Sequence, residues 1–148
     1  MTASLITLFL RDLDRLKQEI MAYREEATLW KTQSDIKNSG GNLALHLIGN
    51  LNFYLGSTLG NSGYIRVREK EFSDKNIARE KILEQIDALK ITVEQVLTSL
   101  TQQDLDKVYP INVLGMEMKT SYFLIHLYGH FNYHLGQINY HRRLLDAC

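Results

Sequence analysis

The chain has one cysteine, one proline and one tryptophan in 148 residues, and no surplus of charge of either sign. A single cysteine, Cys148, cannot close an internal disulfide, which fits a reducing compartment. Seventeen basic residues balance seventeen acidic ones, so there is no electrostatic case for nucleic acid or an anionic membrane as the main partner. No apolar run reaches the roughly 18 residues that a spanning helix requires. The apolar start, with Leu5, Ile6, Leu8, Phe9 and Leu10, lacks a basic segment before it and a small-residue cleavage site after it. The expectation from these absences is a soluble cytoplasmic protein. Internal repeats and low-complexity segments are absent too.

The length and a hydrophobic fraction of 45% fit one globular domain over residues 1–148, able to bury a core without disulfides. Apolar residues at three-four spacing predict a first helix from Thr2 or Ser4 to about Arg24, through Leu5, Leu8, Phe9, Leu13, Leu16, Ile20 and Tyr23. The segment from Glu25 to Asn38 is weakly patterned, with Trp30 expected to pack on the bundle, and Asn38-Ser39-Gly40-Gly41 reads as a turn. A second helix is predicted from about Asn42 to Leu59, interrupted by Gly49 and Gly56. Glycine inside a helix costs about 1 kcal/mol against alanine, so these two suggest a close crossing, which Gly129 and Gly136 in the last helix would permit from the other side.

Gly60 to Gly63 is a loop, and the charged run from Tyr64 to Phe72 reads as a solvated connector. Ser73 or Asp74 is the expected cap of a third helix ending near Leu100, with Ile77, Leu83, Ile86, Leu89, Val93, Val96 and Leu97 as its buried stripe. A long connection, Thr101 to Lys119, holds Pro110 and has the pattern of a small hairpin turning at Gly115. A lone hairpin is not stable in water, so it must rest on the helices. A fourth helix is predicted from Thr120 to Leu145. The expected fold is an all-α four-helix bundle.

Three of the five histidines, His126, His130 and His134, recur every four residues on that last helix and share a face. Two imidazoles so spaced can hold one transition metal. All three cannot, because His126 and His134 are about 12 Å apart along the axis. The pair is therefore His126 with His130 or His130 with His134, and spacing alone leaves both open. His141 lies about 10 Å beyond His134. His46, the one histidine outside the last helix, is the candidate third ligand. Three neutral nitrogens would leave one position open, as in catalytic sites.

These residues resemble the DinB/YfiT-like metalloenzyme superfamily. Its members are four-helix bundles with one His from helix two and an H-x-x-x-H pair on the last helix, followed by one residue and Gly-Gln. The matching stretches are Leu45-His46-Leu47-Ile48-Gly49-Asn50 and His130-Phe131-Asn132-Tyr133-His134-Leu135-Gly136-Gln137. The run Arg66-Val67-Arg68-Glu69-Lys70-Glu71-Phe72 is similar to an arginine-rich stretch after helix two in some members. Leu135 departs from the polar residue many members carry there.

The resemblance implies metal ligands His46, His130 and His134, with His126 as a pocket residue one turn away. It implies a divalent ion, zinc or nickel, and a homodimer. Characterised relatives include transferases that use a low-molecular-weight thiol of the bacillithiol or mycothiol type. On that reading Arg66, Arg68, Asn50, His126 and Tyr133 would line the approach for a small-molecule substrate, with the arginines meeting carboxylates. Hydrolysis is the alternative, because a three-His metal can lower the pKa of bound water to about 7. It wants a nearby base, and the second and fourth helices carry no carboxylate in reach, which leaves only Glu69 or Glu71 of the connector. A third possibility is a non-catalytic, metal-stabilised helical module.

Overall fold

The computed structural model describes residues 1–146, all but a few of them in helices, turns or extended connections without a strand. Cys148, the lone thiol, lies outside the described residues. Four long helices form the bundle: α1 (Thr2–Ala22), α2 (Gly40–Leu51), α4 (Arg79–Ser99) and α6 (Thr120–Leu145). Two short ones, α3 (Arg68–Ser73) and α5 (Gln102–Asp106), lie in the connections. Helix α1 packs on α4 and α6, and α2 packs on the same two from the other side. The cyclic order is therefore α1–α4–α2–α6. The expected stripes meet in one core, with Phe9, Leu13, Leu16, Ile20, Leu47, Leu51, Ile86, Val93, Phe123 and Phe131 buried together.

Helix α2 starts two residues earlier than the glycine pair suggests. Ser39 is its N-cap, accepting from the Asn42 backbone N–H at 3.1 Å, and Gly40 and Gly41 form its first turn. A Cβ at Gly40 would stand 2.2 Å from the Tyr23 hydroxyl, and one at Gly41 2.8 Å from the Trp30 ring. The pair is thus a packing requirement rather than a turn. Trp30, expected on the bundle, fills the space left by Gly41.

The expected continuous helix to Leu59 changes geometry after Leu51. Residues Asn52–Ser57 are π-helical, with Thr58 N–H donating to Phe53 C=O at 2.9 Å and Gly60 N–H to Leu55 C=O at 3.0 Å. The wider turn takes the Tyr54 carbonyl out of the ladder, and the Tyr109 hydroxyl donates to it at 2.7 Å. Single π turns of this kind concentrate at functional sites.

Tyr109 belongs to the long connection, which differs from a hairpin of strands. Its ends join through one bridge, Val108 with Lys119, the Tyr109 N–H donating to the Met118 carbonyl at 2.9 Å, and Gly115 turns it at φ +76°. It rests on the bundle, as a lone hairpin must, with the Tyr109 ring 4.1 Å from that of Phe123. The connection opens with α5, whose Thr101–Asp104 capping box satisfies both partners.

The third long helix starts at Arg79 rather than after Ser73 or Asp74. Those two residues end α3, and Asn76 at φ +57° breaks the chain before α4, a conformation asparagine tolerates. The run from Tyr64 to Phe72 is not a plain solvated connector. Its second half is α3, docked on α2, and it carries a buried glutamate, Glu71.

Candidate metal centre

Helices α2 and α6 present facing rows with a spacing of four. The first row is His46 and Asn50 on α2, continued by Tyr54 in the π-helical turn that follows; the α6 row is His134, His130 and His126 in the opposite direction. His46 lies 5.1 Å, ring to ring, from both His130 and His134, while Tyr54 lies 5.2 Å from Phe123, one end of the bundle away. The helices thus run antiparallel, and His46 meets the pair that the resemblance implied. Each of these three residues offers one nitrogen, all within 4.8 Å of one another. His46 Nε2 and His130 Nε2 are 3.2 Å apart.

The glycines do not produce this juxtaposition. Gly129 and Gly136 have open space where a Cβ would be. At Gly49 the space is filled by the Glu71 carboxylate, whose Oε2 would lie 2.0 Å from a Cβ. Glu71 is the functional residue that sequence reasoning placed in the wrong environment. It is 6% exposed and accepts three hydrogen bonds, from His46 Nδ1 at 3.0 Å and from Arg66 Nε and Nη2 at 2.8 Å each. Asn42 fixes its backbone, donating to the carbonyls of Glu71 at 3.0 Å and Asp74 at 2.8 Å. The available signal was the glycine three residues after His46, which leaves a gap one carboxylate wide.

These bonds decide the histidine tautomers. Glu71 holds the His46 proton on Nδ1, so Nε2 carries the lone pair. His134 Nδ1 donates to Gln137 Oε1 at 2.7 Å, which leaves its Nε2 as an acceptor too. Outer-shell partners of this kind orient metal-binding imidazoles and raise their basicity. His130 has a buried Nδ1 without a partner, and its Nε2 points at His46 Nε2. A cation held between them takes a lone pair from each, with the His130 proton on its unpartnered Nδ1. The donor set therefore fits a divalent metal ion.

Electrostatics point the same way. Burial pushes the His130 imidazole down to about 4, helped by its histidine neighbours His134, His46 and His126. Burial also lowers His134, against the opposing bond from Gln137. Both are neutral at pH 7, the form a metal ligand needs. Burial would raise Glu71, but its bonds from Arg66 and His46 outweigh this and hold it below the usual carboxylate range.

A cavity of about 410 Å³ opens beside the three nitrogens. Asn50, Arg66, Arg68 and His126 line it, with Tyr54, Phe72, Phe123 and Val113. No carboxylate lines it. Of the residues expected along the approach, Tyr133 lies outside; it is 65% exposed, its ring edge-on to His134 at 5.2 Å. His141, excluded by distance, is buried elsewhere between the Tyr23 hydroxyl at 2.7 Å and the Lys31 carbonyl at 2.8 Å. Leu135 is buried in the core and so contributes nothing polar to the site. No helix is long and apolar enough to cross a membrane among the described residues.

Comparison with known proteins shows the family and the fold. The model of the DinB family matches residues 39–145, from the cap of α2 to the end of α6. A crystal structure of a DinB-like protein from Bacillus cereus ATCC 10987 superposes with a TM-score of 0.73 at 17% identity, covering 95% of this chain and 89% of that one. At that identity the likeness shows the fold. No curated protein sequence matches the chain.

Proposed function

The chain belongs to the DinB family, and on that premise we propose that it binds a divalent ion, zinc or nickel, at His46, His130 and His134 and transfers a low-molecular-weight thiol to an electrophilic small molecule. The observation that carries this reading is the charge of the cavity: Arg68 lines it with no carboxylate partner among the described residues, while Arg66 is paired with Glu71. Such a wall favours an anionic ligand, a thiolate bearing carboxylates, over a water awaiting a base. A bound divalent ion supplies the charge that keeps a thiol ionised at neutral pH.

The chain's own residues do the rest. Glu71 and Gln137 hold two imidazoles with Nε2 toward the centre. Arg68 has no carboxylate partner among the described residues and stacks on Phe72 at 5.2 Å, free to receive one from the ligand. In the transfer the thiolate sulfur forms a bond to the electrophilic carbon, and the leaving group departs with the electron pair of the bond that breaks. Hydrolysis is disfavoured because Glu71, the acid nearest the site, spends its oxygens on Arg66 and His46.

Two measurements test this. Elemental analysis of tag-free protein should find one metal per chain, lost in His46→Ala. Adding a cellular thiol to the cobalt-substituted protein should introduce sulfur-to-cobalt charge-transfer bands; silence with every thiol would refute the transferase reading.

The homodimer is proposed on the outer face of α6. Tyr122, Ile125, Tyr133, Tyr140 and Leu144 are between 52% and 65% exposed there, and Gly129 and Gly136 leave open notches among them. Steps of three, four and four residues keep these positions on one nearly straight stripe. Bulky tyrosines beside empty glycine notches suit an isologous contact, in which one copy's projections meet the other's gaps.

A further inference from the structure

The connection that leads into α2 folds back on itself through a bridge between Gln33 and Ile36, with Ser34 at φ +51°. His141 of α6 ties it to the bundle. Its Nε2 donates to the Lys31 carbonyl at 2.8 Å, which leaves Nδ1 to accept from the Tyr23 hydroxyl at 2.7 Å. Between this connection, α2 and α6 lies a cavity of about 410 Å³, separate from the metal cavity. Ile36 and Leu43 supply apolar wall, with Tyr140 and Leu144 at the edge that borders the stripe proposed for the dimer. Both nitrogens of His141 are committed, so it offers the cavity only its ring. Asp35 and Lys37 line it with opposite charges that offset one another. An apolar space of this size with a few placed polar groups is the usual form of a small-molecule site.

The cavity adjoins the metal centre. Asn38 lines both spaces. Gln137 lines this one and accepts from Nδ1 of His134, which lines the other, at 2.7 Å. With Oε1 taken by His134, the Gln137 amide has only its NH2 left to offer a ligand.

We infer that this cavity binds an uncharged small molecule with an apolar body and a carbonyl-type acceptor, the acceptor meeting the Gln137 NH2, and that its occupancy is coupled to metal binding through His134. The coupling rests on the metal reading and is independent of the thiol one. A metal on His134 Nε2 draws electron density from the ring and makes its Nδ1–H a stronger donor. Gln137 Oε1 is then held more firmly, and the NH2 is set for the ligand. By reciprocity the ligand tightens the metal by the same factor. A charged ligand is disfavoured because the apolar walls cannot replace its water.

The test titrates the protein with prodan, an uncharged naphthalene ketone whose emission shifts to the blue in apolar surroundings. Metal-free wild type should bind it saturably. Ile36→Lys should weaken binding roughly tenfold or more by placing a charge in the wall. Ile36→Ala, with a loss of about threefold or more, serves if the lysine variant does not fold. Ile125→Lys, on the exposed stripe of α6 outside the cavity, should bind as wild type. Displacement of prodan by 2-acetylnaphthalene and by 2-ethylnaphthalene isolates the acceptor. The ratio of their affinities should favour the ketone about fivefold more in wild type than in Gln137→Leu, the worth of one neutral hydrogen bond. Saturating zinc should raise prodan affinity about fivefold in wild type and not in Gln137→Leu. Absence of saturable binding, undiminished binding in Ile36→Lys, or an equal loss in Ile125→Lys overturns the site. An unchanged ratio in Gln137→Leu overturns the acceptor contact. Prodan affinity that is the same with and without bound zinc overturns the coupling. Wild type that takes up no zinc overturns the metal reading and the coupling together, while the site itself is judged on the metal-free protein.

Discussion

Replacing Glu71 with glutamine tests how the site is built. The change preserves shape and removes one charge. Glu71 accepts from His46 Nδ1 and from two nitrogens of Arg66, so both oxygens are committed. A glutamine must turn its NH2 toward one of those donors. Toward Arg66 it opposes N–H to N–H; toward His46 it forces the imidazole proton onto Nε2 and removes the lone pair a metal needs. Loss of an outer-shell partner typically lowers metal affinity 10- to 100-fold, about 1.4–2.7 kcal/mol. The apoprotein should lose about 1–3 kcal/mol as well, because the Arg66 side chain keeps a poorly satisfied charge at 9% exposure. For a chain of this size that is roughly 3–10 °C in melting temperature. The assay is zinc competition against a chromophoric chelator, with thermal melts of metal-free protein alongside. Glu69→Gln is the control, since Glu69 is an exposed residue of the same short helix. Zinc affinity in Glu71→Gln within threefold of wild type, or an equal loss in Glu69→Gln, would refute the positioning role.

Gly49→Ala should act on the same carboxylate from the other side. Its Cβ would sit 2.0 Å from Glu71 Oε2, so overpacking of about 1–3 kcal/mol should exceed the gain in helix propensity, and melts plus zinc titration should show both stability and affinity falling. Acid should destabilise the metal-free protein. Burial lowers His141, His134 and His130, the last to about 4, so the unfolded chain takes up protons first. Stability from these groups is complete above about pH 6.5 and declines as pH falls below it, visible as a melting temperature that drops between neutral and acid pH; a flat profile would contradict the burial. The same shifts move proton competition for the metal to lower pH than free histidine would give. On the outer face of α6, Gly136→Glu should yield monomers by analytical ultracentrifugation if the notches carry the dimer, while Glu84→Gln on the distant α4 should not; dimers that persist in Gly136→Glu would place the interface elsewhere.

The three-four spacing of apolar residues determined the four long helices and their faces, because periodicity is local and each amphipathic stripe must find a core. The interval of four between His130 and His134 determined that two imidazoles share a face, since helical rise and turn are fixed. Spacing left that pair and His126 with His130 equally open, and the family resemblance supplied the choice; the tertiary structure brings His46 from an antiparallel helix opposite His130 and His134. The glycines were misread because a gap in a sequence does not say what fills it: Gly49 admits a carboxylate, Gly41 a tryptophan ring, and Gly129 and Gly136 open space. Glu71 was illegible for the same reason. A charged residue in a charged run is ordinarily solvated, and only the docking of α3 against α2, with Arg66 folded back over it, turns this one inward.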